Sequence, residues 1–558
     1  MKRNLVLVLI VVLSVVVWAE NYPLSEVVPG LKGIGKTVFS GTMVEEFPVE
    51  ILSIIPGEGT VSDFVLIKVG GKALELGGVV EGMSGSPVYI SGKLLGAISY
   101  GFNDIGRSLA LVTPISEMEE LLSLSEGDFP LENLPPNTTL RSLNTHLVAS
   151  GFGERGRAFL EKQLGLTLAK SSFGNKETAT MQVEPGSALG VLLVTGDVTV
   201  GGFGTLTTIY PDGRFLAFGH PLLKRGKTAY LASTSFIHTI IQGQSSSFKL
   251  ASFSEKIGLI SEDRGAGILG SLAKSPQMVP VKVVVKENDL NQVLETKALV
   301  IPDNMLFAKL AISSILEGFD RGIDRVGAGS SKIKFTIQGK NLPYTLEREN
   351  YFYSYADIAA LSISELSEIL DLILFNDYYK VEPTEIIVLA EFTEAKNTAV
   401  ITSATPALTQ VEPGQDLEVV VQLRPFRGET ETVKLLLPIP EDITPGKVHV
   451  VVRPGVSIPT YEPEPVSVSE KLELQSEERK STPISQEAKD WEKVLKDFLT
   501  REKNNELVAE FYPPYSESLY KNEDSNETLL PVQVRQTTDY VMEGEIAFDL
   551  EILESSLL

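Results

Sequence analysis

The stretch Glu81-Gly82-Met83-Ser84-Gly85-Ser86-Pro87-Val88 lies between two predicted strands and carries the residue types a serine nucleophile needs. A tight turn must project the hydroxyl while neighbouring backbone N–H groups converge on one point, and flanking glycines permit that path. On this reading Ser84 attacks, and the N–H groups of Gly82 and Ser84 supply the oxyanion-hole donors. The alternative is a glycine-rich hairpin whose hydroxyl is satisfied locally. The Gly-x-Ser-x-Gly elbow of α/β-hydrolases is not matched, because Ser86 stands where its second glycine belongs. A serine needs a base, and the chain has 4 histidines: His146, His220, His238 and His449. His220 ends Phe218-Gly219-His220-Pro221, where a strand end and a proline-restricted exit hold an imidazole at a domain edge. His146 falls in a helical connector, His238 in an apolar run and His449 in a distant β region. The four are too dispersed for a His-x-x-x-His metal pattern, so neither a metal nor another cofactor is expected. With 0 cysteines, thiolate zinc sites, iron-sulfur clusters and cysteine nucleophiles drop out together. Two Gly-x-Gly-x-x-Gly matches, at 151–156 and 265–270, sit in no βαβ unit and read as turns.

The elements that must position these residues are mainly strands. In 558 residues, 43% hydrophobic and 22% charged, several folded domains are expected. Lys plus Arg total 49 against 73 Asp plus Glu, a net charge of -24, which argues against a nucleic-acid partner. Residues 1–19 open with Lys2 and Arg3, run apolar to Trp18 and end on Ala19, the pattern of a secretory signal cleaved after Ala19. An uncleaved N-terminal anchor is the alternative, and both put the bulk of the chain outside the cytoplasm, in the periplasm, cell envelope or beyond. Short β-like runs broken by glycine and proline come next, from 38 to 102, with Ser91-Gly92-Lys93 as a hairpin turn. Pro211-Asp212-Gly213 marks a second hairpin, between 204–210 and 214–218. Helical periodicity appears at 304–316 and 357–374, and alternating strands return at 384–452 as in a small β-sandwich. Trp491, Val494, Leu495, Phe498 and Leu499 form a helical packing stripe.

Glu81 to Tyr89, continued by Gly92-Lys93-Leu94-Leu95-Gly96-Ala97, resembles the serine segment of the SpoIVB-type (sporulation stage IV protein B) serine peptidases. Glu46 to Leu52 looks like the strand preceding that segment. Gly204-Thr205-Leu206-Thr207, running on to His220, looks like the family's histidine segment, and 247–253 and 263–272 resemble the stretches downstream of that histidine. The resemblance implies a serine peptidase with Ser84 as nucleophile and His220 as general base. Here serine precedes histidine, the reverse of the family's order, as if two halves were exchanged; geometry rather than chain order defines a triad. The family's acid should lie just before the serine, where Val69-Gly70-Gly71 offers no carboxylate. Asp63 is the first substitute and Asp263 the second. No PDZ module is evident.

The expected fold is mainly β with α+β additions: two trypsin-like β-barrel halves, a mixed α/β region and a C-terminal β-sandwich. The expected divisions begin with a signal peptide at 1–19, a serine-bearing barrel half at 20–130, a helical connector at 131–180 and a histidine-bearing half at 181–286. Beyond them come a mixed α+β domain at 287–380, a β-sandwich at 381–455, a linker at 456–484 and a C-terminal helix with strands at 485–558. The expected function is hydrolysis of peptide bonds in protein or peptide substrates by an exported serine endopeptidase, with the C-terminal β domain as a candidate surface for an envelope partner. The alternative is a catalytically silent cell-envelope binding or assembly protein that keeps a peptidase-like fold.

Overall fold

The computed structural model describes residues 20–57, 59–102, 107–124, 147–170, 183–243, 247–456, 484–513 and 531–554. The signal segment, His146 and nearly all of the expected linker lie outside the described residues. The chain is mainly β with added helices and divides into two compact units. The first comprises residues 1–152 and 165–277, the second 153–164 and 278–558. Among the described residues no helix is long and apolar enough to cross a membrane.

In the first unit, alternation of apolar and polar residues builds a barrel. Strand β2 (Val44–Pro56) buries Phe47, Val49 and Ile51 and turns the residues between them outward, as a half-buried strand must. With β1 (Lys32–Val38), β3 (Asp63–Val69), β4 (Pro87–Ile90), β5 (Lys93–Gly101) and β6 (Leu109–Pro114) it closes in the order β1-β2-β3-β6-β5-β4. Closure leaves no open sheet edge. The β4–β5 hairpin turns on Ser91 and Gly92, both left-handed at φ 49° and 79°, as the twist of a two-residue loop requires.

A second ring lies in the same unit. The short strands β7 (Val148–Ser150) and β8 (Ala169–Lys170) precede β9 (Ala188–Gly196), β10 (Thr199–Ile209), β11 (Arg214–Ala217), β12 (Gly226–Ile241), β13 (Phe248–Arg264) and β14 (Gly267–Leu272). The order β9-β12-β13-β14-β11-β10 is closed by β9–β10 pairing, giving six strands again. The hairpin expected at Pro211-Asp212-Gly213 joins β10 to β11; Asp212 Oδ1 accepts the Arg214 N–H at 3.0 Å, and Gly213 takes φ 84°.

In the second unit five strands pair in the order Leu346–Ser354, Gly329–Lys340, Glu382–Thr393, Val279–Glu287, Gln292–Val300. Helix Phe307–Ile323 lies on it so closely that a Cβ on Gly322 would come within 2.4 Å of Val285 Cγ1. The expected helix at 304–316 thus begins three residues later and runs longer. Helix Glu154–Leu164, from the expected connector, also belongs to this unit: Arg155 bonds Asp320 at 2.7 Å and Asp357 at 2.7 Å. Two further sheets share one apolar core containing Ile401, Val419, Leu435, Val450, Leu507 and Leu550. The sandwich therefore differs from its expected bounds. Strand Glu382–Thr393 pairs in the mixed sheet, and strands between Glu506 and Ile552 complete the sandwich from beyond the expected linker.

Candidate active site

Both candidate residues sit in the first unit, one on each ring. Ser84 lies in the turn that enters β4. Two successive bonds shape it: the Met83 N–H donates to Val80 O at 3.0 Å, and the Ser86 N–H donates to Met83 O at 2.9 Å. Gly82 and Gly85 adopt φ 90° and 93°, which side chains other than glycine resist. The Gly85 N–H is tied to Ile98 O on β5 at 2.7 Å. Strand β10 of the second ring grips the same turn through three carbonyls. The Thr205 N–H donates to Ser84 O (2.6 Å), the Thr205 hydroxyl to Gly82 O (3.0 Å) and the Thr207 hydroxyl to Gly85 O (2.8 Å). A Cβ on Gly85 would stand 1.8 Å from Thr205 O, so only glycine allows this approach. The buried Gly82 N–H finds no acceptor among the described residues, leaving it able to receive an oxyanion.

His220 is reached from β11 through Phe218 and Gly219, both left-handed at φ 70°. A phenylalanine in that region is uncommon and carries strain of order 1–3 kcal/mol, held here by its surroundings. The Gly219 carbonyl is fixed by the Thr113 hydroxyl of β6 at 2.7 Å, and Thr113 Oγ1 lies 2.9 Å from Ser99 Oγ. The imidazole arrives with Nε2 at 2.8 Å from Ser84 Oγ and Nδ1 at 2.7 Å from Pro221 O. A carbonyl only accepts, so Nδ1 carries the proton and Nε2 can take the serine's. The rings of Tyr100 and Phe218 flank the imidazole at 5.9 and 6.0 Å between centroids. Ser84 is 0% exposed and His220 1%.

The two substitutes for a triad acid fare differently. Asp63 begins β3 opposite Pro56 and makes no bond to His220. Asp263 does not reach His220 either, but acts on the loop just beyond it. Its Oδ1 accepts the Leu222 N–H at 2.7 Å and its Oδ2 the Leu223 N–H at 2.8 Å. Burial pushes the Asp263 pKa up and those amides oppose it. A carboxylate thus pins the loop whose first carbonyl orients the imidazole. Of the remaining histidines, His238 bonds Ser252 Oγ at 2.7 Å and His449 meets Asp549 at an exposed position. Sequence reasoning missed the threonine grip. Its trace was the alternation Thr205-Leu206-Thr207, which puts both hydroxyls on one face of a strand.

A serine hydroxyl and an imidazole, brought together by two β-barrels with a buried N–H beside them, form the kind of site on which serine peptidases work. The comparison with known families agrees at that level: residues 24–108 match the family model described as SpoIVB peptidase S55. The matched segment holds most of the first ring and the serine turn, and stops before the histidine segment. No curated protein and no solved structure matches the chain.

Proposed function

We propose that the chain is an exported serine endopeptidase in which Ser84 is the nucleophile and His220 the general base. The observation that carries this reading is the 2.8 Å contact between Ser84 Oγ and His220 Nε2, across 136 positions of sequence. In the reaction, Nε2 takes the hydroxyl proton as Oγ attacks the peptide carbonyl. The oxyanion is received by the Gly82 and Ser84 N–H groups. The imidazolium, its Nδ1–H held on Pro221 O, then protonates the leaving amine, and water attacks the acyl-enzyme with His220 again as base. The test is covalent labelling by a fluorophosphonate. Wild type should be labelled on Ser84, while Ser84→Ala and His220→Ala should lose the label and cleavage of denatured casein together, since such residues act as a unit. A folded wild type that neither labels nor cleaves casein would sink the proposal.

The second reading, a catalytically silent envelope protein with a peptidase-like fold, draws on the burial of both side chains, 0% and 1% exposed. It predicts a folded protein in which Ser84→Ala changes no rate and leaves partner binding intact.

A further inference from the structure

Lys249 is a buried cationic side chain that the proposed mechanism does not use. It sits at the start of β13, where the main chain docks on the serine turn: the Glu81 N–H donates to Ser247 O at 2.9 Å and the Lys249 N–H to Glu81 O at 3.0 Å. Its stem lies over Gly82, with Cβ and Cδ each 3.2 Å from where a Gly82 Cβ would be. Its Nζ donates to the Thr37 hydroxyl of β1 at 2.7 Å. Lys249 is 5% exposed and Thr37 0%, and among the described residues no carboxylate bonds the amine. Burial alone lowers its pKa to about 7, so the cation is populated at neutral pH. A methionine would fill the same volume without desolvating a charge, which makes a lysine here costly unless its charge serves something.

We propose that Lys249 is a positioning residue for the oxyanion turn, its stem propping Gly82 and its cationic head supplying the charge that the transient oxyanion neutralises. The amine is two bonds beyond Cδ and so lies within about 6 Å of Gly82. An oxyanion received by the Gly82 N–H forms against the residue that this stem covers, and away from bulk water opposite charges couple strongly. In the resting protein the cation has a hydroxyl for company; only the tetrahedral intermediate offers it an anion, and an interaction of that kind lowers the barrier rather than the substrate's binding constant. The inference rests on the peptidase reading.

The experiment compares fluorophosphonate inactivation kinetics of wild type, Lys249→Met and Thr37→Val, with melting temperature as the control for folding. Lys249→Met should lower the maximal inactivation rate by about tenfold or more and leave the half-saturating concentration within about twofold, at a melting temperature no lower than wild type. Thr37→Val should show the same split with a smaller loss, and it decides the matter should Lys249→Met fail to fold. A wild type labelled on Ser84 with a Lys249→Met variant reacting equally fast overturns this inference alone. A folded wild type that neither labels nor cleaves casein overturns the peptidase reading and this inference with it.

Discussion

His220 is oriented by the carbonyl of its own neighbour, and that carbonyl is held in place by Asp263 through the next two amides. The carboxylate therefore matters to the imidazole at one remove. In Asp263→Asn one oxygen still accepts, but the amide nitrogen turns a donor toward a donor. The expected outcome is a drop of about tenfold or more in Ser84 labelling rate with loss of about 1–3 kcal/mol in urea unfolding, the cost of a buried donor left unmatched. Lys249 gives a pH signature of its own. Its pKa is lowered to about 7 from 10.5. Between those values the unfolded chain binds the extra proton, so this residue's contribution makes stability rise with pH, and below pH 7 its cost is fully present. Lys249→Met should remove that slope, stabilising the protein most at pH 7 and progressively less toward pH 10, as urea midpoints across that range would reveal.

At the scale of elements, the serine turn is a junction between two strands of different rings, and its Gly85 is not equivalent to Gly92 of the β4–β5 hairpin. Gly85 and Gly92 both have positive φ, 93° and 79°, but a Cβ at Gly92 meets nothing within 4 Å whereas at Gly85 it meets backbone at 1.8 Å. Gly92→Ala should cost about 1–2 kcal/mol, from conformation alone. Gly85→Ala should push the turn off β10 and abolish labelling, with a far larger fall in melting temperature. The contrast was half legible beforehand. Glycines around Ser84, the Pro211-Asp212-Gly213 hairpin and the proline after His220 are local signals, and local signals pointed to the serine and the histidine that the fold brings into contact. The bonds from Thr205 and Thr207 to the turn join residues 123 and 122 positions apart, and nothing in either segment names the other. Asp263 was considered for the wrong contact for the same reason: its acidity was visible, its neighbours were not. The full strand set of the sandwich was hidden likewise, because strand pairing at 541–543 with 398–400 depends on a partner far along the chain.

On the scale of the whole molecule, the chain crosses between its compact units three times. It leaves the first at Phe152, contributes helix Glu154–Leu164 to the second, returns at Gly165 and departs finally at Gln277. That helix is anchored in the second unit by Arg155 on Asp320 and Asp357 and by the Gly153 N–H on Glu317 at 3.0 Å. A chain ending at Gln277 deprives the helix of all these partners. Limited trypsinolysis should then cut at Arg155, Arg157 or Lys162, sites that the full-length protein protects; equal protection in both would contradict the assignment of the helix to the second unit. The placement of the two reacting groups also bears on synthesis. Every strand of the ring beneath Ser84 comes from residues 32–114, while the ring bearing His220 is not complete until Leu272. Domains form as units from the N-terminus as the ribosome delivers them. On the proposed mechanism the nucleophile is thus made well before its proton acceptor, and a growing polypeptide carries an inert alcohol until the second ring has been translated.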